Sequence, residues 1–532
     1  MIDSKTNYNA VGLAAAVTFS LVGIFLASGF IFTSDNPFTK AAMLIGGLLL
    51  VVGTIQPRRM LYVMVPITFY LDEVKRLLVV IGRTGIDDVT AVLAIAPLAS
   101  IGILIGCVIQ RIFFRKRGGL VERMVIFSAC TAFVAFGGME AFTAGSLVYG
   151  LKTAANSTVY FLLPWAVLQC FTTREQIERF LKFCVFTGVP VALYGIWQFF
   201  MGLSDFEITY LKSGLTIIAD PTFNDVRPRP FSTLSSPHAY SSVMAFMFVL
   251  SYRLGAPGGA RSLWSAVSRF FFALFIRIIP FGEAGRRNWI EMFIARIYLV
   301  ALLLSMTRGA TLAGFAMIVA ARLFRSKTGT GVVYLFCTVI LAGLVLFAEP
   351  ILNSLDKLQS YLPMGSGWQE QAFRLGTISD RLKGYQNIIT NPGAWPLVAN
   401  PLNYRTDERV YGDTNYSHDL VSQMILRLGI IPVILCVLAG IYLLSRAHSA
   451  ILRLPGTRGG IRPLAAQIMS MLVIFLLSQS GGGGMTVFPM NFWIGIFTGL
   501  LAVICVRLGD AVPAESARKG VRLTAPALAG GR

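Results

Sequence analysis

Residues 419–444 read DLVSQMILRLGIIPVILCVLAGIYLL, with one acid, Asp419, one arginine, Arg427, and an apolar run beyond them. A helix rises about 1.5 Å per residue, so a run of this length matches the roughly 30 Å hydrocarbon core of a bilayer. Inside that core a chain has to satisfy its own backbone groups, which helices do. Immediately upstream, residues 349–418 hold the longest polar stretch of the chain, including LPMGSGWQEQAFRLGTISDRLKGYQNIITNPGAWPLVANPLNYRTDERVYGDTNYSH. It ends at His418, one of three histidines among 532 residues. A polar loop longer than about 12–15 residues is uncommon unless it has a function.

Working outward, comparable apolar runs lie near 10–32, 39–56, 89–110, 124–146, 154–171, 181–201, 237–253, 309–324, 331–348, 420–445, 464–480 and 486–507. Two more, near 60–78 and 292–306, are shorter or flanked by charge. The expected fold is therefore all-α, a polytopic integral membrane protein of about 12–14 transmembrane helices with one large periplasmic loop. Hydrophobic residues make up 55% of the chain, only 14% are charged and mean hydropathy is +0.68, which excludes an ordinary soluble protein with one core. Residues 1–9 are polar and the first run is long enough to span, so a signal anchor is expected there.

The net charge is +20, but its basic residues fall in short clusters between apolar runs, without the basic-aromatic interleaving of nucleic-acid binding. They are Arg58/Arg59, Arg111 through Arg123, Arg174/Arg179/Lys182, the 253–296 stretch, Arg322/Arg325/Lys327, Arg446 through Arg462, and the tail after Arg507. Alternation through the spans puts every cluster on one side, so both termini are expected to be cytoplasmic. The segments 202–236, Thr307-Arg308, 349–418 and Gly481 to Gly484 then face outward. Residues 256–291 include RFFFALFIRIIPF, too short and too charged to cross, which suggests an interfacial helix. The seven cysteines lie in apolar runs and read as small core residues. His448 falls in an inner loop by this map and is set aside.

Cations and histidines gather at the outer boundary. Arg308 occupies a very tight turn, Ser305-Met306-Thr307-Arg308-Gly309, where it can meet an anionic headgroup or simply snorkel. Arg229 precedes the span that opens at Pro237-His238, and Arg381 opens a helix-like stretch in the long loop. Each has an ordinary reading, as a solvated charge or an intraloop ion pair. His418, beside Asp419, fits a general base whose ring the carboxylate orients. The histidines are too scattered and the outer carboxylates too irregularly spaced for a metal site, and phosphate-binding loop and serine-elbow motifs are absent. Several outer arginines with one base suit a lipid-bound diphosphate substrate, because guanidinium binds phosphate bidentately and stabilises the charge growing on a departing diphosphate.

At these residues the chain resembles the O-antigen ligase and polymerase family of bacterial envelope glycan enzymes, from roughly Tyr194 to Val433. Ser305-Met306-Thr307-Arg308-Gly309 looks like the family's Ser-Arg-Gly turn, and His418-Asp419 with Gly429 eleven residues on looks like its His-Asn motif. Arg381, Tyr385 and Asn391-Pro392-Gly393 resemble its loop-arginine segment, and Arg229 through His238 an earlier one. Thr307, Asp419 and Ala394 depart from the family pattern and bear on the acceptor.

The resemblance implies metal- and cofactor-independent transfer of a glycan from undecaprenyl diphosphate to a saccharide or lipid hydroxyl acceptor. The reaction would take place at the periplasmic face of the inner membrane, among membrane lipids and other polysaccharide assembly proteins. Arg308 and Arg381 would hold the diphosphate and His418 would activate the acceptor, with Arg229, Asp419, Tyr385 and His238 in substrate-binding positions. The chain then divides into N-terminal helices (1–193), a ligase-like core (194–433), C-terminal helices (434–508) and a basic tail (509–532). Its length and large loop lean toward an exopolysaccharide polymerase over an O-antigen ligase. A lipid-linked glycan flippase is the alternative, and would put charges at the midplane of several spans around a cavity; a purely structural scaffold would make the loop arginines dispensable.

Overall fold

Asn36 opens the first helix by accepting the Phe38 amide at 2.9 Å, and Pro37 takes the first helical position, where a missing N–H costs nothing. The computed structural model describes residues 36–82, 86–114, 158–213, 229–255, 283–329, 429–454, 461–479 and 488–508, with isolated positions within 123–130 and 331–335, at 397–398 and at 425. Among the described residues the regular structure is helical throughout. In chain order the helices are α1 Pro37–Ile55, α2 Pro57–Gly82, α3 Ile86–Leu93, α4 Ile95–Phe114, a 3-10 turn Val159–Leu162, α5 Leu163–Cys170, α6 Arg174–Met201 and α7 Asp205–Lys212. They continue as α8 Pro237–Gly255, α9 Glu283–Leu304, α10 Arg308–Leu323, α11 Ile430–Arg453, α12 Ile461–Gln479 and α13 Met490–Val503.

Among the described residues, five helical stretches are long and apolar enough to cross a membrane: Pro37–Ile55, Val89–Ile112, Arg174–Met201, Ile430–Arg453 and Ile461–Ser478. The expected runs at 10–32 and 124–146, most of 331–348 and nearly all of the loop 349–418 lie outside the described residues.

Several boundaries depart from the hydropathy reading for local reasons. α6 begins at Arg174 rather than near 181, because Thr173 accepts the Gln176 amide and Glu175 sits at the positive end of the helix. α2 extends the run read at 60–78 to Pro57–Gly82, and its charges stay within the helix because Lys75 pairs with Asp72 at 2.8 Å and Arg76 with Glu73 at 2.9 Å, one turn apart. α9 starts at Glu283, so part of the stretch read as an interfacial segment continues the helix. α11 runs on to Arg453 and carries His448 with it. That histidine, expected in a loop, is instead helical, only 9% exposed and packed on Phe324. Cys107, Cys170 and Cys184 are buried as expected, whereas Cys130 is exposed.

The packing is set by glycine and aromatic contacts. A Cβ on Gly102 would sit 2.4 Å from the Leu50 carbonyl oxygen, and one on Gly106 2.5 Å from that of Thr54. α1 and α4 thus cross in parallel at backbone contact, the close approach that small residues permit between apolar helices. α13 lies parallel to α5 in the same way, Gly495 against Leu163 and Gly499 against Val167. Trp493, fully buried, packs on Phe69 of α2 and Phe497 of its own helix.

These registers sort the two ends of the bundle. Tyr62 near the start of α2 meets Phe180 near the start of α6, so those helices are parallel. Tyr240 of α8 donates to the Ala192 carbonyl near the end of α6, so α8 runs the opposite way. At its far end Tyr252 accepts from Arg322 of α10, Phe324 meets His448 of α11, and Cys505 just beyond α13 donates to the Ala447 carbonyl. Arg58, Arg179, Arg322, Arg453 and Arg462 consequently share one end, the basic end, and the starts of α8, α10 and α11 share the other.

Candidate functional site

Arg308 begins α10 at the end opposite the basic cluster. The turn before it is tied internally: Ser305, fully buried, donates its hydroxyl to the Leu302 carbonyl at 2.7 Å, and Thr307 donates to the Ser305 carbonyl at 3.2 Å. Thr311, one turn into α10, reaches back to the Leu302 and Thr307 carbonyls. Met306 is held at φ 55°, in the left-handed region that L-residues avoid. Arg308 borders an open groove of about 390 Å³ lined by Leu303, Met306, Thr307, Thr311 and Leu312. A Cβ on Gly309 would meet nothing within 4 Å, so the helix start is open as well. A cation, the first-turn amides and an apolar groove lie together here, chemistry that can accept an anion with an apolar tail.

The second element is the segment Arg229–Ser236. Gln198 near the end of α6 accepts from the Phe231 amide at 3.2 Å and the Ser232 amide at 2.7 Å. Arg76 of α2, 1% exposed, donates to the Ser232 carbonyl at 2.6 Å and also to the Leu234 carbonyl, with its guanidinium 4.3 Å from the Phe231 ring centroid. The Ser232 hydroxyl donates to the Val191 carbonyl at 2.7 Å, and Thr233 donates to that of Phe69. Held this way, Ser232 adopts φ 51°. Glu207 of α7, fully buried, locks the support by accepting from Gln198, from Tyr194 at 3.0 Å and from the Ser204 hydroxyl at 2.7 Å. Arg229 itself is exposed and His238, the second residue of α8, is half-buried.

Gly314 of α10 packs near Ala245 of α8, and Arg322 near Tyr252, so the two helices run parallel in one register. Extended back about two turns, that register sets Arg308 level with the start of α8 at Pro237-His238. Arg308, Arg229 and His238 therefore share one end of the bundle. So does Gly429, whose φ of 92° only glycine adopts without strain, as the residue before α11. Just beyond it, the Ile431 amide donates to the Leu397 carbonyl at 3.0 Å, tying one point of the long polar segment to the same end. Arg381, Tyr385, His418 and Asp419 lie outside the described residues.

The sequence reading missed the ionic and amide support of this end. Its signal was present in Asp72, Glu73, Lys75 and Arg76, four charges within an otherwise apolar helix, since buried charges need partners. The partners, Ser232 and Leu234, are more than 150 positions away.

Compared with known family models, curated proteins and solved structures, the chain matches none. What the coordinates define is a class: an all-helical bundle with helices of membrane-crossing length, one cationic end, and an opposite end where a strained turn sets an arginine beside an apolar groove.

Proposed function

We propose that the chain is a membrane glycosyltransferase that moves a glycan from undecaprenyl diphosphate to a hydroxyl acceptor, in the manner of O-antigen ligases and polymerases. One observation carries the reading. Among the described residues, the non-glycine positions at positive φ are Ser232 and Met306, and they lie in the two arginine-bearing segments singled out by sequence. Left-handed backbone at such residues costs on the order of 1–3 kcal/mol and collects where a site has to be held in shape. Each segment is over-determined by hydrogen bonds that offset the strain, and each presents an arginine at the same end of the bundle.

On this reading the basic end faces the cytoplasm, in keeping with the excess of Lys and Arg on that side of inner-membrane proteins. The Arg308 end faces the periplasm. Arg308 and the first amides of α10 take the diphosphate, and the prenyl chain follows Leu303, Met306 and Leu312. Arg381 from the polar loop adds a second guanidinium, and Arg229 lies within the same end. His418 takes the acceptor hydroxyl proton, oriented by Asp419, as the hydroxyl oxygen attacks the anomeric carbon and the lipid diphosphate departs with the bonding electrons. Tyr385 and His238 line the acceptor side.

The flippase alternative asks for charges on several spans around a cavity. Among the described residues the buried intrahelical ion pairs lie on α2 alone, and α2 is sealed against the 229–236 segment. The test is reconstitution with lipid-linked glycan and acceptor, scoring transfer and released lipid diphosphate. Movement of intact lipid-linked glycan between leaflets without transfer would give the flippase reading instead.

A further inference from the structure

The basic end holds a second cationic site that the transfer reaction does not use. Phe324, fully buried, follows α10 between Arg322 and Arg325 in the chain, and its ring lies 6.3 Å from that of His448 on α11. Arg462, at the start of α12, is close enough to His448 for its charge to bear on the ring. Arg322 donates to the Tyr252 hydroxyl of α8 at 3.0 Å. Arg322 and Arg325 thus flank Phe324 in the chain, while His448 and Arg462 come to the same place from the successive helices α11 and α12.

Among the described residues no acid is seen to pair with Arg322, Arg325 or Arg462. Residues 237–282, 309–348 and 430–508 contain no Asp or Glu. The ion pairs of Lys75, Arg76 and Arg174 lie outside this cluster. The Arg462 Nε is buried without a hydrogen-bond partner. Cations gathered from α10, α11 and α12, helices that carry no acid of their own, suit an anion from outside the chain.

We propose that this cluster binds the phosphate headgroup of an anionic phospholipid, with Arg325 and Arg462 as its main contacts and His448 beside them. Guanidinium forks suit phosphate oxygens. Basic pockets between helix ends at the membrane surface are the usual form of such sites. A lipid is favoured over a free phosphate because α11, running from His448 back toward the bundle middle, presents Ile441 and Leu438 two to three turns away, 55% and 58% exposed, as a path for an acyl chain.

The experiment uses the full chain in neutral detergent, titrated with phosphatidylglycerol, phosphatidylcholine or inorganic phosphate and read by native mass spectrometry and melting temperature. Phosphatidylglycerol is expected to bind and raise Tm, whereas phosphatidylcholine and inorganic phosphate at the same concentration do neither. Arg325→Gln with Arg462→Gln weakens phosphatidylglycerol binding about tenfold. Arg446→Gln with Arg453→Gln removes equal charge from α11 at the same end, away from Phe324, and leaves binding intact. Equal loss in both pairs would reduce the effect to general surface attraction and overturn the site. Unchanged binding in the first pair would overturn it too, as would inorganic phosphate matching the lipid. Should the first pair fail to fold, the wild-type comparison still decides: no preference in Tm for phosphatidylglycerol over phosphatidylcholine contradicts the proposal.

Discussion

Arg76 donates to the carbonyl of Ser232, 156 positions away in sequence, at 2.6 Å, and thereby fixes the segment that carries Arg229. The same guanidinium pairs with Glu73 and donates to the Leu234 carbonyl, so one buried side chain closes three partners. Arg76→Met leaves a carboxylate and two carbonyls without their donor, at a cost of about 3–5 kcal/mol. Glu73→Gln combined with Arg76→Met is expected to cost less than Arg76→Met alone, because the stranded charge is gone. Thermal unfolding of the two variants and the wild type in detergent checks this. Equal melting temperatures for Arg76→Met and the wild type would show that the contact carries no stability.

Helix contact through glycine gives a second prediction. Gly102→Leu drives a side chain into the Leu50 backbone and is expected to destabilise the α1–α4 pair by about 1–3 kcal/mol or more. Gly440→Ala and Gly309→Ala, where a Cβ meets nothing within 4 Å, are expected to stay within about 0.5 kcal/mol of wild type. Any loss of transfer in Gly309→Ala at unchanged Tm would then report on the space beside Arg308. A wild-type melting curve for Gly102→Leu would contradict the parallel contact.

A third prediction concerns Cys107 of α4 and Cys170 at the end of α5, whose sulfurs are 3.7 Å apart. Mild oxidation with iodine in detergent is expected to join them, detected as a linked peptide pair by non-reducing mass spectrometry and abolished in Cys170→Ser. A linkage of Cys107 to Cys184 instead would show that α4 and α5 do not pack as described.

The element map was largely legible because hydrocarbon leaves few choices: α1, α8, α10 and α12 begin within three residues of the apolar runs read for them. Boundaries failed where polar chemistry decided them, as at the Thr173 cap, which starts α6 seven residues before the apolar run read at 181. Arg308 and Arg229 were recognisable from their positions beside span ends. Their support was not, because Arg76, Gln198 and Glu207 act through contacts between distant segments that no local spacing encodes. His448 was set aside on topology alone, and only packing revealed its place among arginines.

The most direct test of the central claim is glycan transfer by the purified chain from undecaprenyl-diphosphate-linked donor to acceptor, with released lipid diphosphate quantified. Wild type is expected to transfer in the presence of a metal chelator. Arg308→Ala and His418→Ala are expected to lose at least about 100-fold in rate, the scale set by removing one transition-state donor or a general base. Arg308→Lys is expected to recover only part of the activity, since an ammonium replaces the charge but not the fork. Full transfer by both Arg308→Ala and His418→Ala would contradict the account.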